Sequence, residues 1–261
     1  MPWVHPKVAE LDSRRQWAQR TPEWYAVRRT LLTASDVAGV LDVKPFASYK
    51  GSPREDLMKR KLDNHPFGNM YTAHGQKYED EARALMEACL GETVREYGLL
   101  LHPTLPWLAA SPDGVTTSGK CVEIKCPMRR AIVPGHVPEH YLPQVQTQMA
   151  VCDVDSTLFV QYRPAVMNAD GKPFIDIAVV ERDPGFLDRH ALALKSFYDA
   201  YMAALPTHVP APYASPTCSV VSGLYGPPVG PPVGPPPNRI GPPVGAPPLA
   251  RRCSVVDGMY S

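Results

Sequence analysis

SPDGVTTSGKCVEIKCP, residues 111 to 127, places an aspartate in a Pro-Asp-Gly turn and, ten residues later, a glutamate and a lysine in an otherwise apolar strand. Side chains two residues apart in a strand point to the same face, so Glu123 and Lys125 project together while Ile124 packs on the other side. A hairpin through residues 116–120 would bring Asp113, at the end of the preceding strand, close to both. The stretch therefore predicts two carboxylates and a lysine on one patch.

Such a patch destabilises the fold, because carboxylates at close range repel each other and resist losing their hydration. A divalent metal ion bound between them would offset that repulsion. Mg²⁺ takes carboxylate and carbonyl oxygens and keeps several waters, one of which can become a nucleophile. We expect Asp113, Glu123 and the backbone carbonyl of Ile124 to bind the metal. Lys125 would orient the water or stabilise charge on a phosphate. The alternative interpretation is an exposed hairpin with a cross-strand salt bridge.

A third carboxylate lies on a predicted helix. From residue 72 to 90 the apolar side chains follow the spacing of an amphipathic helix. Glu79 is in register with Ala82 and Met86, so it borders the buried face and needs a partner there. Spacing alone leaves its neighbours Asp80 and Glu81 as alternatives for the same role.

The rest of the first 205 residues alternates between helical and strand patterns. Helices are predicted over residues 13–29, from a cap at Thr33, Ser35 or Asp36, over 50–62, after Pro143 and over 183–205. Strands are predicted within 95–126 and over 156–164 and 174–182. This order indicates an α/β domain in which helices flank a mixed central β-sheet.

The composition changes sharply near Leu205. Residues 206–261 hold 15 of the 31 prolines, and the glycines recur without the three-residue period of collagen. We expect a folded domain over residues 1–205 and a low-complexity Pro/Gly-rich tail over 206–261 that is disordered or polyproline-II. The tail would serve as a linker, as a ligand for an SH3-like or WW-like domain, or as a tether to a replication protein.

Charge, cysteine spacing and hydropathy narrow the class of protein. The net charge is only +1, but residues 13–61 contain eleven Lys or Arg against five Asp or Glu. That local excess is either a solvated helical face or the footprint of a nucleic acid. Six cysteines show no CxxC spacing, so we expect free thiols. No segment has the pattern of a signal peptide or a membrane span, so we expect an intracellular protein with no membrane partner.

Six blocks of sequence together resemble the lambda-type alkaline exonucleases, the viral recombination nucleases of the PD-(D/E)xK superfamily. In order, the blocks are WYAVRRTLLTASDVAGVL, HGQKYEDEARALME, AASPDG, VEIKCP, YLPQVQTQMAV and VVERDP, within residues 15–200. The resemblance implies a restriction-endonuclease-like core. It further implies magnesium-dependent 5′-to-3′ hydrolysis of linear double-stranded DNA from 5′-phosphorylated ends, leaving 3′ single strands for recombination by annealing.

The resemblance also assigns roles to individual residues. Asp113, Glu123 and Glu79 resemble the ligands of a two-metal site for Mg²⁺, with Mn²⁺ as a substitute, and Lys125 resembles the catalytic lysine. A pocket for the terminal 5′ phosphate would contain Arg28, Ser35, Ser111 and Gln144. A helix cap at Ser35 and a surface amide at Gln144 are the alternatives from the residues alone. Arg28 can offer a bidentate fork to phosphate oxygens.

The same resemblance implies partners and leaves other activities open. It implies a viral or phage protein acting inside its host with a single-strand annealing protein, and assembly as a homotrimeric ring. A restriction-like or structure-specific endonuclease would keep the same fold and metals. A catalytically silent module that binds DNA ends is the alternative outside the enzymes.

Overall fold

Residues 3–63 and 70–205 are described by the structure, which is a computed structural model. The helices are α1 (Pro6–Ser13), α2 (Pro22–Arg29), α3 (Ala34–Val40), α4 (Pro53–Leu62), α5 (Met70–Leu90), α6 (Leu142–Cys152) and α7 (Phe186–Ala204). The strands are β1 (Gln16–Trp17), β2 (Leu32–Thr33), β3 (Val94–Arg95), β4 (Leu99–Leu101), β5 (Leu108–Ala110), β6 (Gly114–Thr116), β7 (Cys121–Lys125), β8 (Ser156–Arg163) and β9 (Phe174–Glu181). Short 3-10 turns cover Glu139–Tyr141 and Ala165–Met167.

The strands form two sheets. The five-stranded sheet has the order β3-β6-β7-β8-β9, in which β7 and β8 are parallel and the other pairs antiparallel. The four-stranded sheet has the order β1-β4-β5-β2, with β2 and β5 parallel. A parallel pair needs a long crossover, and α6 lies within the segment that joins β7 to β8. The mixed α/β architecture is confirmed, with the strands divided between two sheets.

Alternation along β7 places its side chains against two different helices. Val122 and Ile124 pack in one buried cluster with Ala82 and Met86 of α5. Cys121 belongs to a second cluster that includes residues of α6 and α7. Glu123 points to that second side and contacts α6. The alternation of side chains along β7 therefore places the carboxylate of Glu123 between the sheet and α6.

One predicted helix was wrong in its first half. The prediction spanned residues 13–29, but residues 16–17 form β1 and Arg20 adopts a left-handed φ of 67°. The helix α2 starts only at Pro22, because the Thr21 side chain accepts a hydrogen bond from the Trp24 amide and proline suits a first helical position. The other predicted helices and strands are confirmed, with α4 starting at Pro53 after its cap Ser52.

The tail, including Cys218 and Cys253, lies outside the described residues. The four described cysteines, Cys89, Cys121, Cys126 and Cys152, are free thiols, as predicted. Over residues 3–63 and 70–205, no helix is both long enough and apolar enough to cross a membrane.

Candidate active site

The β6–β7 hairpin brings Asp113, Glu123 and Lys125 together, as the sequence predicts. Asp113 directly precedes β6, and its amide donates to the carbonyl of Val122 at 3.1 Å. Its carboxylate Oδ2 accepts a hydrogen bond of 2.7 Å from the Ile124 amide. Gly114 is required in this turn, because a Cβ there would lie 2.2 Å from Val94 Cγ1 and 2.9 Å from the carbonyl oxygen of Arg95.

Glu123 is held between the hairpin and α6. Its side chain is 2% exposed and forms an ion pair with Lys125. Gln144 Nε2 donates to Oε1 at 2.7 Å, and Gln148 Nε2 donates to Oε2 at 2.6 Å. A buried carboxylate is costly unless donors satisfy it, and here both oxygens have donors. The orientation of Glu123 is therefore fixed from two elements.

The protonation states follow from burial and from the neighbouring charges. Burial raises the pKa of Asp113, and the nearby carboxylates of Glu123 and Glu79 raise it further. Burial would lower the pKa of Lys125, but the carboxylates of Glu123 and Asp113 outweigh it and raise that pKa. Lys125 therefore stays an ammonium, with its Nζ 5.0 Å from the ring centroid of Tyr141. The site therefore combines a charged lysine with a carboxyl, that of Asp113, which gives up its proton less readily than an ordinary aspartate.

Glu79 reaches the site from α5, and two arginines bind its carboxylate. Arg20 Nη2 lies 2.6 Å from Oε2, and Arg83 Nη2 lies 3.1 Å from Oε1. Arg83 also donates to the Asp113 carbonyl at 3.3 Å and pairs with Glu96 at 2.6 Å. The expected partner of Glu79 is present as two guanidinium groups, which also connect the helix to the hairpin.

An open cleft of about 870 Å³ gives access to this site. Glu79, Asp113, Ile124 and Lys125 line one part of it. Its other charged lining side chains among the described residues are basic: Arg20, Arg129 and Arg130. A cleft with acids at one point and basic side chains around them suits a polyanion that approaches a bound cation.

The structure brings together two of the four residues predicted for the 5′-phosphate pocket. Arg28 Nη2 donates to Ser35 Oγ at 2.6 Å, and the guanidinium carbon of Arg28 lies 4.8 Å from the ring centroid of Trp24. Ser111 joins them indirectly, because its Oγ accepts a hydrogen bond of 3.1 Å from Trp24 Nε1. Gln144, which lies on α6, instead donates a hydrogen bond to Glu123 on β7. The four-residue pocket stays a prediction.

The donors suit a magnesium ion by their chemistry. Two carboxylates and a backbone carbonyl are all oxygen ligands, which Mg²⁺ prefers, and Asp113 and Ile124 line the open cleft. In the described part of the chain, no group of three or more His, Cys, Asp or Glu side chains is arranged to hold a metal ion. The candidate donors are Asp113, Glu123 and the Ile124 carbonyl. A metal ion would have to displace Lys125 or an α6 amide from Glu123, just as it would have to displace an arginine from Glu79.

Sequence reasoning missed three residues that shape the site. Gln148 follows Gln144 by four residues, so helical spacing places both amides on one face of α6. Arg83 follows Glu79 by four residues on α5, which is the spacing of a helical ion pair. These two could have been found from the sequence. Arg20 could not, because its contact with Glu79 depends on the left-handed turn before α2.

The fold is that of alkaline exonucleases. The crystal structure of an alkaline exonuclease, LHK-Exo, from Laribacter hongkongensis is 29% identical, has a TM-score of 0.57, and covers 72% of this chain and 95% of that chain. LHK-Exo in complex with dAMP gives the same TM-score at 28% identity, with the same coverage of both chains. A phage-related exonuclease from Haemophilus somnus 129PT shares the fold at 15% identity, with a TM-score of 0.51. The match covers 69% of this chain and 99% of that chain.

The chain belongs to the YqaJ-like viral recombinase domain family, whose pattern matches residues 23–155. The resemblance drawn from the six sequence blocks is thereby confirmed. Protein R354 of Acanthamoeba polyphaga mimivirus is 32% identical over an alignment of 164 residues that covers 56% of this chain and 29% of that protein. Protein D345L of African swine fever virus (strain Badajoz 1971 Vero-adapted) is 28% identical over 51% of this chain and 46% of its own length. The chain spans less than half of each viral relative.

Proposed function

We propose that the protein is a magnesium-dependent 5′-to-3′ exonuclease that degrades linear double-stranded DNA from 5′-phosphorylated ends and leaves 3′ single strands. The observation that carries this proposal is the hairpin that brings Asp113, Glu123 and Lys125 together, with Asp113 and Lys125 lining an open cleft that also has basic side chains. Membership of a viral recombinase family and the likeness to an alkaline exonuclease support it.

The reaction would hydrolyse the bond between the first and second nucleotides. A water oxygen forms a bond to phosphorus, the bond from phosphorus to the 3′ oxygen breaks, and that oxygen takes a proton as the mononucleotide leaves. The phosphate stays on the second nucleotide, so each cycle creates a new 5′-phosphorylated end. A pocket for that phosphate at Arg28, Ser35 and Ser111 would hold the strand in register for the next cycle.

Each residue of the site has a task in this reaction. Asp113, Glu123 and the Ile124 carbonyl would bind Mg²⁺, with Mn²⁺ as a substitute, and Glu79 would join for a second ion. The bound metal would lower the pKa of its water and polarise the phosphate. Lys125 carries a positive charge beside the acids and would stabilise the charge that develops on the phosphate oxygens. Gln144 and Gln148 keep Glu123 oriented.

Release of nucleotides from three duplexes in Mg²⁺ tests the proposal. The duplexes are linear with a 5′ phosphate, linear with a 5′ hydroxyl, and covalently closed circular. We expect the protein to digest the phosphorylated linear DNA fastest and to spare the circle. Lys125→Met should abolish release, while Lys120→Met, a lysine of the same hairpin outside the cleft, should leave it intact.

The other outcomes identify the alternatives. Equal cutting of the circle would establish an endonuclease, because an enzyme that needs an end cannot start on a circle. Binding of ends without cleavage in Mg²⁺ or Mn²⁺ would establish a silent end-binding module. Loss of the preference for a 5′ phosphate in Arg28→Lys, with the hydroxyl substrate unaffected, would support the phosphate pocket, because lysine lacks the bidentate fork of arginine.

We further propose that the 3′ strands serve recombination through a single-strand annealing protein in a virus-infected or phage-infected cell. The viral relatives and the family support this setting. A homotrimeric ring would keep the enzyme on its substrate. The mass of the full chain by light scattering, with and without a tailed duplex, tests that assembly directly.

A further inference from the structure

Exposed aromatic rings concentrate at the cleft that contains the acids. Five aromatic side chains with large exposed surfaces occur in the described residues: Trp3, Tyr25, Phe46, Tyr71 and Phe174. Three of them, Tyr25, Phe46 and Tyr71, line this one cleft and are 40%, 58% and 45% exposed. We call these three the aromatic rim. Exposed rings at a functional cleft indicate contact with a ligand that the isolated chain lacks.

Each ring of the rim is supported by a separate part of the fold. Tyr25 projects from α2 and meets the buried ring of Trp24 edge to face, with centroids 4.9 Å apart. Phe46 meets Tyr49 edge to face at 5.5 Å. Tyr71 stands on the first turn of α5, with the guanidinium carbon of Arg129 5.8 Å from its centroid. The rim is therefore built from rings already held in place.

The segment that carries Phe46 is anchored at both ends. Asp42 Oδ1 accepts hydrogen bonds from Ser52 Oγ at 3.0 Å and from the Arg54 amide at 3.1 Å. Arg54 Nη1 donates to the Val40 carbonyl at 2.8 Å, and the Tyr49 hydroxyl bonds to Asp56. Fixing the segment before a ligand arrives lowers the entropy cost of binding to it.

We propose that the aromatic rim stacks unpaired bases at the end of the DNA, so that the cleft takes a frayed or single-stranded 5′ terminus in preference to a blunt one. This inference rests on the proposed function. Flat rings combined with basic side chains are how proteins hold single strands, because every base has a stacking face and every nucleotide a phosphate. Arg20, Lys125 and Arg129 supply the positive charge along the same cleft.

The aromatic rim lies in the same cleft as the candidate catalytic residues, so the part of the DNA next to the cleaved bond would contact it. Asp113 and Lys125 line the same cleft as the three rings. A scissile phosphate at the acids would leave the adjoining bases within this cleft. Inside a duplex both faces of a base are covered by its neighbours, and the terminal pair of a blunt end offers only its outer face. An unpaired base can offer both faces, so it can stack on rings such as Tyr25 and Phe46 more completely.

Binding without divalent metal tests the proposal apart from catalysis. Two 5′-phosphorylated duplexes, labelled at the far end for anisotropy, would differ only in three unpaired nucleotides at the 5′ terminus. We expect the full chain to bind the unpaired end more tightly. Phe46→Leu and Tyr25→Leu, which keep apolar bulk but remove the flat ring, should each weaken that binding roughly tenfold and leave blunt binding nearly unchanged.

Matched variants and a spectroscopic signal make the test specific. Phe46→Tyr should keep the preference because it keeps a ring, and Phe174→Ala should keep it because Phe174 lies outside this cleft. A 2-aminopurine base at the unpaired terminus should lose fluorescence on binding to the unsubstituted chain and not to Phe46→Leu. Binding with no difference between the two duplexes, or a preference that survives Phe46→Leu and Tyr25→Leu, would overturn the proposal.

The same experiment separates this inference from the proposed function. If the chain binds and degrades the blunt duplex without preferring the unpaired end, the exonuclease stands and the stacking surface is wrong. If neither duplex binds and neither is degraded, both are wrong. Binding of a proline-rich or other apolar peptide at the rim, in place of DNA, would also count against the stacking surface.

Discussion

Two glutamines one turn apart on α6 determine how Glu123 sits in the site. Gln148 is fully buried and donates to one carboxylate oxygen, while Gln144 donates to the other. When a buried charged group loses a hydrogen-bond donor, the free energy of its desolvation is no longer offset, and the folded state is destabilised. Gln148 therefore acts on the candidate metal site through Glu123 without lining the cleft itself.

We predict that Gln148→Met, which nearly preserves volume, lowers the free energy of unfolding by about 1 to 3 kcal/mol. Nucleotide release should fall about tenfold or more, because Glu123 loses one of its two amide donors. Urea unfolding and release from linear duplex measure the two effects. Gln146→Met on the same helix, whose amide bonds to Glu181 and Asp183 instead, should affect stability but not release. Equal loss of release in both variants would contradict the prediction.

The buried carboxylate of Asp36 should make the stability of the fold depend on pH. Burial would raise its pKa, but Lys61 and Arg28 outweigh burial, and hydrogen bonds from Thr33 help lower the pKa to about 2. Lys61 Nζ lies 3.1 Å from Asp36 Oδ2, and both side chains are buried. A carboxyl with a depressed folded pKa contributes stability above its unfolded pKa, and that contribution disappears as pH falls through the folded pKa.

We predict that Asp36→Asn lowers the free energy of unfolding by about 2 kcal/mol at neutral pH. The difference from the unsubstituted chain should stay constant down to about pH 4 and shrink between about pH 4 and 2, where the native carboxylate takes up its proton. Urea unfolding across this range measures it. Asp183→Asn, at an exposed ion pair, is the control and should change stability by less than about 1 kcal/mol. A difference that grows toward low pH would contradict the prediction.

At the scale of elements, Arg83 joins α5 to the hairpin that carries the acids. Its side chain is 10% exposed and contacts Glu79, Glu96 and the carbonyl of Asp113. One guanidinium thus sets the distance between a helix carboxylate and a turn from a different element. Neither α5 nor β6 could fix that distance alone, because each contributes only one side of the contact.

We predict that Arg83→Met lowers the free energy of unfolding by about 2 to 3 kcal/mol, because partly buried carboxylates lose their cation. Arg83→Lys should recover part of that stability but little nucleotide release, since one ammonium cannot replace both Nη1, which pairs with Glu96, and Nη2, which contacts Glu79 and the Asp113 carbonyl. Urea unfolding and nucleotide release measure both. Arg189→Met, whose side chain is 57% exposed, should cost less than about 1 kcal/mol. A cost for Arg83→Met no larger than that would show that the bridge contributes little.

Elements with a clear period were predictable, and contacts between distant elements were not. The period of two in CVEIK indicated that Glu123 and Lys125 share a face, and the Pro-Asp-Gly turn placed Asp113 beside them. The strand β1 has two residues, Gln16 and Trp17, too few to show any period, so its helical neighbours concealed it. The bond from Arg20 to Glu79 depends on tertiary packing of that turn against α5. Sequence patterns therefore locate the acids but not Arg20, which holds one of them.

At the scale of the whole molecule, the distribution of charge matters more than its sum. A net charge of +1 conceals basic side chains along the cleft, where Arg20, Arg129 and Arg130 line the same space as Glu79 and Asp113. Phosphates that bind there displace counterions, so affinity depends on salt even though the protein is almost neutral. The low net charge reduces long-range attraction, so specific contacts at the cleft must supply most of the binding.

We predict that Arg129→Gln weakens duplex binding in the absence of divalent metal and reduces the slope of log K against log salt by about 1. Arg129 is exposed and lines the cleft beside Tyr71, where we expect it to contact a phosphate of bound DNA. Anisotropy titrations between about 50 and about 200 mM salt measure the slope. Arg189→Gln removes the same charge outside the cleft, so it keeps the net charge matched and should leave the slope unchanged. Equal slopes for both variants would mean that DNA senses only the total charge, and the cleft would then have no role in holding the backbone.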